Sequence, residues 1–264
     1  EPSNGEKIKE ISDIPDHEAA IKLVLNKLVD PKVGVIKSLS DIRAVGHRVV
    51  HGAEKFSGSV LITDAVIDAL KENIPLAPLH NPPNITGIKA MMHALPGVPN
   101  VGVFDTAFHA TMPAESYIYA VPYEWYEKHH VRRYGFHGTS HRFVSERAAE
   151  IMGIAKDQFN CITCHMGNGS SFTAIKGGKS YDTSMGMTPL EGIVMGTRSG
   201  DIDAGIPKFL ADNNGMSFAD IDNALNKQSG LFGISGISSD MRDIEGAAKD
   251  GNARAKLAID VLRH

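Results

Sequence analysis

The chain has 264 residues, 42% hydrophobic and 22% charged, with a formal net charge of −4 and two cysteines. That is the composition of a globular protein with core material for one large domain or two ordinary ones. No polybasic run, transmembrane-length apolar span, secretory signal or disulfide framework is read in it, which points away from nucleic-acid and membrane partners and towards a reducing, cytoplasmic setting.

In chain order, "DHEAAIKLVLNKLVD" places Ile21, Val24, Leu25 and Leu28 on one helical stripe that Pro31 stops. "DIRAVGHRVVHG" predicts a buried strand over 41–50. "TDAVIDALKEN" predicts a helix capped by Thr63, and "NPPNITGIKAMMHALPG" one from about Ile85 to Leu95, closed by Gly97. "NVGVFDTAFH" predicts a short strand ending at Asp105. "SHRFVSERAAEIMG" predicts a helix capped by Ser140 and stopped by Gly153, with Phe143, Val144, Ala148 and Ile151 on one face. Strands alternate with helices up to about residue 155, an α/β pattern. From 156, "CITCHMGNGSSFTAIKGGKSYDTS" predicts a β-meander, and "DIDAGIPKFLADN" and "SFADIDNALNKQ" predict helices. The expected division is 1–155 and 156–264. The chain does not begin with Met and ends in a helical pattern at "AKLAIDVLRH", so a piece of a longer protein is expected.

Several stretches could carry chemistry. In "RYGFHGTSH", His137 and His141 stand four apart. They fit a metal pair, two histidines satisfying a helix start, or a fixed donor at His137 for an anionic substrate. The HExxH pattern is absent; "HEAAI" at 17–21 lacks its second histidine. Arg48 in "HRVVHG" and Arg198 in "GTRSGDID" sit in glycine-flanked contexts, suited either to clamping phosphoryl oxygens or to structural ion pairs. "HMGNGSS" at 165–171 is a small polar turn that could aim N–H groups at phosphate; it is not a P-loop, since no GK[ST] follows. Asp105 ends an apolar strand, where catalytic carboxylates and turn caps both occur. Cys161 and Cys164 have C-x-x-C spacing without a following helix or second pair, and read as small core residues.

Together, "GHRVVHG", "LHNPPN", "FDTAFH", "RYGFHGTSH", "HMGNGSS", "GTRSGDID" and "SDMRDIE", in this order, resemble the acetokinase family from about residue 41 to the end. The resemblance implies two ribonuclease-H-like (actin-like ATPase) domains facing a cleft, a homodimer, and phosphoryl transfer from ATP to acetate, giving ADP and acetyl phosphate, with Mg²⁺ or Mn²⁺. Carried over, Arg48 and Arg198 bind substrate and stabilise the in-flight phosphoryl group. Asp105 is the catalytic carboxylate and His137 a transition-state donor. Val50, Leu79, Phe136 and Pro189 form the methyl pocket, with His80 beside them. His165, Met166, Gly167, Asn168 and Gly169 cradle ATP phosphates, and Asp240, Met241 and Arg242 contact the nucleotide. Such transfer needs alignment and positive charge more than covalent chemistry. Acetate is already ionised at neutral pH, so Asp105 is expected to orient Mg²⁺ or Arg48 rather than take a proton.

The family's opening strand, its Asn-Cys-Gly-Ser-Ser turn and its C-terminal part are not found. The chain is therefore expected to be about two thirds of a member, to lack the Asn and Glu metal ligands, to expose strand edges and to be poorly active alone. Ala53 stands where the family usually has glycine, which matters only if the backbone there needs positive φ. The competing readings are a propionate or butyrate kinase, a non-catalytic fragment that dimerises or binds nucleotide, and a histidine-based metallohydrolase motivated by the 12 histidines.

Overall fold

A computed structural model describes residues 9–78 and 80–264. The chain parts into two compact units, 1–107 and 108–264. The change of texture read at residue 156 falls inside the second unit, because the helix before it packs on the strand after it.

In the first unit, α1 (His17–Leu28) starts at Asp16, whose side chain accepts from Ala19 N–H. Leu25 is its buried residue, while Val24 on the predicted stripe is exposed. β1 (Val45–Val49), β2 (Val60–Leu61), α2 (Asp64–Glu72), α3 (Asn81–Ala94) and β3 (Asn100–Phe104) follow. Thr63 caps α2 as expected. α3 begins four residues before the predicted Ile85, because its prolines fall in the first turn, where a missing N–H costs nothing. The sheet order is β1-β3-β2. β1 and β3 run parallel, with Arg48 beside Val103 and Val49 beside Phe104, so the strand ends that follow lie together. Val49, Ile62, Ile67, Leu70, Ile85, Ile88 and Phe104 form the core, and Phe56 stacks on Phe104 with ring centroids 4.4 Å apart.

The second unit opens with α4 (Ala114–Tyr117), α5 (Glu124–His129) and α6 (Gly138–Met152). It continues through an antiparallel meander of β4 (Cys161–Met166), β5 (Ser170–Lys176) and β6 (Lys179–Thr183). α7 (Gly205–Asn214), α8 (Phe218–Lys227), α9 (Gly230–Ser235), α10 (Met241–Lys249) and α11 (Ala253–Arg263) complete it. Leu231, Ile244, Ala255, Ala258 and Ile259 form its helical core. Two expectations for α6 are corrected. Its N-cap is His137, not Ser140. Its buried residues are Gly138, His141, Ser145 and Ala149, while Phe143, Val144 and Ile151 are exposed. His141 on this face hydrogen-bonds to Thr163 of β4 and Ser171 of β5, which no apolar-periodicity argument anticipates. Cys164 is exposed rather than a core residue, and both cysteines are free.

Candidate functional site

In the first unit the parallel register sets Arg48 beside the strand that runs into Asp105. The Asp105 N–H donates to Val49 C=O at 2.9 Å, and its carboxylate is buried at 2% exposure. Arg48 grips that carboxylate with a fork, Nε to Oδ1 at 2.9 Å and Nη2 to Oδ2 at 2.7 Å. These bonds raise the pKa of Arg48, whose side chain is otherwise largely in solvent. A bidentate pair of this kind fixes direction as well as charge. Asn84, one turn into α3, locks the end of β1: its Oδ1 accepts from Val50 N–H at 3.0 Å, and its Nδ2 donates to Arg48 C=O at 3.3 Å. Asn81 donates to His51 C=O at 3.2 Å, and Gly52 N–H donates to Thr106 Oγ1 at 3.2 Å. Gly52 is a forced glycine, since a Cβ would lie 2.7 Å from the Phe104 ring. Ala53 adopts φ +48°, the left-handed region that favours glycine. His80 caps α3 through its backbone, with no side-chain cap bond; Leu79 lies outside the described residues.

In the second unit His137, at φ +56°, turns the chain into α6. Its Nδ1 is 2.8 Å from Ser171 Oγ, and its ring stacks on His165 at 3.9 Å. His165 Nδ1 is 2.9 Å from Ser140 Oγ. His141 is 1% exposed, with Nε2 2.8 Å from Ser171 Oγ and Nδ1 2.8 Å from Thr163 Oγ1. Burial, and then the nearby His109 and His165, push its pKa down to about 3, so this ring is neutral. The two histidines spaced four apart therefore occupy different places: His141 is packed into the interior, and His137 stands at the helix entrance.

The hairpin between β4 and β5 carries Gly167, Asn168 and Gly169. Gly167 N–H is spent inside the turn on Gly169 C=O, and Asn168 C=O accepts from Gly196 N–H at 3.0 Å. A Cβ at Gly169 would stand 3.2 Å from Arg198 Nη1, 3.4 Å from Nη2 and 3.5 Å from His137 Cε1. The absent side chain lets a guanidinium and an imidazole approach the Gly169 backbone closely. Arg198 donates Nη1–H to Pro189 C=O at 2.9 Å and touches Met195 Sδ at 3.8 Å. Among the described residues it has no carboxylate partner, and burial lowers its pKa. A half-buried cation held only by a carbonyl and a thioether suits a bound anion.

A side chain on Gly196 would run into Asn168 and come within 3.3 Å of Ser239 Cβ, so the segment entering Asp240 lies against the hairpin. Asp240 caps α10 and is forked by Arg242, which holds its carboxyl down at about 2; Met241 packs on the helical core. Met166 is exposed beside the turn, and Phe136 is buried at 1% exposure.

Sequence reasoning missed the Arg133–Glu191–Tyr119 network. Arg133 donates to Thr183 C=O at 2.8 Å and to Glu191 Oε1 at 2.8 Å, and Tyr119 O–H donates to Glu191 Oε2. These bonds brace the segment carrying Pro189, and only the position of Arg133 next to the histidine motif hinted at them. An open cleft of about 500 Å³ lies on this side, lined in part by Ile162, Phe172, Asp182, Glu191 and Asp201; none of the predicted site residues borders it.

These features define an α/β protein with an arginine and a histidine closing on Gly169 and an arginine–carboxylate pair at a parallel strand end. The profile of the acetokinase family matches residues 1–264, and the chain belongs to that family. It is 58% identical to the acetate kinase of Natranaerobius thermophilus over 99% of this chain and 66% of that protein. It is 63% identical to the acetate kinase of Treponema denticola over 94% of this chain and 62% of that protein. The crystal structure of Porphyromonas gingivalis acetate kinase superposes with a TM-score of 0.92 at 55% identity, over 98% of this chain and 65% of that one. That of a propionate kinase from Francisella tularensis gives 0.87 at 50% identity, over 93% and 62%. The fold is that of acetate kinase structures, with their two actin-like ATPase domains. The chain spans about two thirds of the length of the curated relatives it matches.

Proposed function

We propose that the chain carries the phosphoryl-transfer machinery of an acetate kinase, acting on ATP and acetate to give ADP and acetyl phosphate. The observation that carries this reading is Arg198: a half-buried guanidinium without a carboxylate partner among the described residues, closing on Gly169 together with His137. Its forked N–H groups would neutralise the transferring group's equatorial oxygens, and a hydrogen bond from the His137 ring would help align them. Arg48, aimed by Asp105, would serve the substrate carboxylate or the phosphoryl group. Val50, Leu79, His80, Phe136 and Pro189 are the residues this reading assigns to the acyl chain. His165, Met166, Gly167, Asn168 and Gly169 would take the ATP phosphates, and Asp240, Met241 and Arg242 the nucleotide.

Among the described residues no three His, Cys, Asp or Glu side chains group into a metal site, and Asp105 is already gripped by Arg48. Mg²⁺ or Mn²⁺ enters this reading with ATP, and Asp105 would orient either that cation or Arg48. A homodimer, a cytoplasmic setting and, for the whole protein, a division at 155/156 belong to the same proposal. No described helix is long and apolar enough to cross a membrane.

The test is acyl-phosphate formation trapped with hydroxylamine, using this chain with MgATP and acetate, propionate or butyrate in turn. Turnover with acetate preferred supports the reading. A preference for propionate would favour the second one, motivated by the propionate kinase likeness; one methylene separates the two by only ~1–3 kcal/mol. No turnover from a folded sample that still binds nucleotide would support the non-catalytic fragment.

A further inference from the structure

Ser171, fully buried at the start of β5, sets a single hydroxyl between two imidazoles, 2.8 Å from His137 Nδ1 and 2.8 Å from His141 Nε2. A hydroxyl carries one proton, so it donates to one ring and accepts from the other. In one direction Ser171 donates to His137 Nδ1, which places the proton of a neutral His137 on Nε2. In the other, His137 donates from Nδ1, and its Nε2 is either a bare lone pair or half of an imidazolium. A bare lone pair repels an anion. An imidazolium would lie next to the Arg198 guanidinium, since both groups come within 3.5 Å of the Gly169 Cβ position, and like charges close together disfavour ionisation.

We propose that Ser171 and His141 are positioning residues that hold His137 as the neutral tautomer protonated on Nε2. The chain of bonds runs one way: Thr163 O–H to His141 Nδ1, His141 Nε2–H to Ser171 Oγ, and Ser171 O–H to His137 Nδ1. All three supporting side chains are buried, Thr163 at 5% and His141 at 1% exposure, so water does not compete for these bonds. The low pKa of His141 agrees with a ring that has one proton to place. His109 shows the same arrangement with its direction settled. Its Nε2 lies 2.8 Å from Phe136 C=O, which can only accept, so a neutral His109 takes the Ser180 hydroxyl proton on Nδ1 at 2.8 Å. The proposal rests on the phosphoryl-transfer reading for the anion that disfavours a bare Nε2 lone pair and for what the His137 donor serves.

Long-range ¹H–¹⁵N spectra of the full chain with ¹⁵N-labelled histidine, assigned with His137→Asn, read the tautomer directly. The expected result at neutral pH is protonation of His137 on Nε2 alone. Ser171→Ala should give a tautomer mixture, and Ser171→Thr should keep the wild-type pattern. Where the chain turns over, Ser171→Ala should lower kcat by about 10–100-fold with KM for nucleotide unchanged, as for other groups that orient a functional histidine. An Nδ1–H or imidazolium pattern in the wild type overturns the proposal, as does an unchanged His137 pattern in Ser171→Ala. If Ser171→Ala does not fold, the wild-type spectrum decides alone. Nε2 protonation without turnover supports this inference while counting against the kinase reading.

Discussion

The two arginines occupy opposite electrostatic situations. Arg48 reaches out from a strand, mostly solvent-exposed, with its charge matched by a buried carboxylate in forked geometry. Arg198 is half-buried, held by a carbonyl and a thioether, and unmatched among the described residues. In the first, the protein fixes the direction of a charge that it has already balanced. In the second, it maintains an imbalance that an incoming anion can relieve. Removing Arg48 should therefore be felt in stability as well as function, while removing Arg198 should be felt in function alone.

The largest expected effect tests that claim directly. Arg198→Ala should lower acyl-phosphate formation by about 10²–10³-fold, the usual cost of one transition-state donor. Its urea midpoint should hold or rise, because an uncompensated, partly dehydrated charge has gone. Arg198→Lys should recover little, since an ammonium cannot present the fork. A lower midpoint with unchanged turnover would make Arg198 a strut for Pro189 and abolish the contrast with Arg48.

The second test concerns how the second unit keeps charge low around its unmatched cation. Folded His141 has a pKa of about 3, against about 6.5 unfolded, so the folded state declines a proton that the unfolded state accepts. Its contribution is complete above pH 6.5 and is lost as pH falls towards 3, by up to about 1.4 kcal/mol per pH unit. Urea midpoints measured down this range should fall more steeply for wild type than for His141→Gln. Asp240, also depressed, is common to both proteins and cancels from the difference. Parallel slopes would mean that His141 is not held neutral.

How much of this could be read from residues alone differs between the two arginines. Asp105 was legible as the end of an apolar strand and Arg48 as a glycine-flanked arginine inside a predicted strand; the parallel register that sets them together comes from the structure. Arg198 was legible only as a motif; nothing in "GTRSGDID" says that its partners are Pro189 and Met195. The face of α6 was misread because its interior contacts are hydrogen bonds from His141 to Thr163 and Ser171, invisible to an apolar count. Asn84 was missed for a related reason: a backbone-locking amide has no periodic signature, and only its closeness to the prolines of "NPPN" marked the segment. β2 is two residues long, too short for any alternation to register.

A third test returns to Arg48 and asks which half of its pair the fold depends on. Arg48→Ala leaves the Asp105 carboxylate buried without its fork, an unmet acceptor worth about 1–3 kcal/mol. Asp105→Asn leaves Arg48 free to be solvated, which should cost less. Both should reduce turnover. The stability costs should therefore be unequal, as read from urea midpoints at neutral pH. Equal costs would place the stabilisation in the fork itself rather than in matching a buried charge.

The smallest effect lies in the turn that follows Arg48. Ala53 holds φ +48°, while its N–H donates to His51 Nδ1 at 3.0 Å and the preceding Gly52 N–H is tied to Thr106. These bonds keep the turn in the left-handed region despite the methyl group, whose clash there costs roughly 1–2 kcal/mol. Glycine would remove the clash but gain freedom in the unfolded chain, returning roughly 0.4–1 kcal/mol of the benefit. Ala53→Gly should therefore raise stability by at most about 1.6 kcal/mol, read as a higher urea midpoint with an unchanged slope. Turnover should not move, because the Arg48 fork is set by β1 and Asp105 rather than by the turn. A loss of stability would show that the turn relaxes to another conformation in the alanine protein.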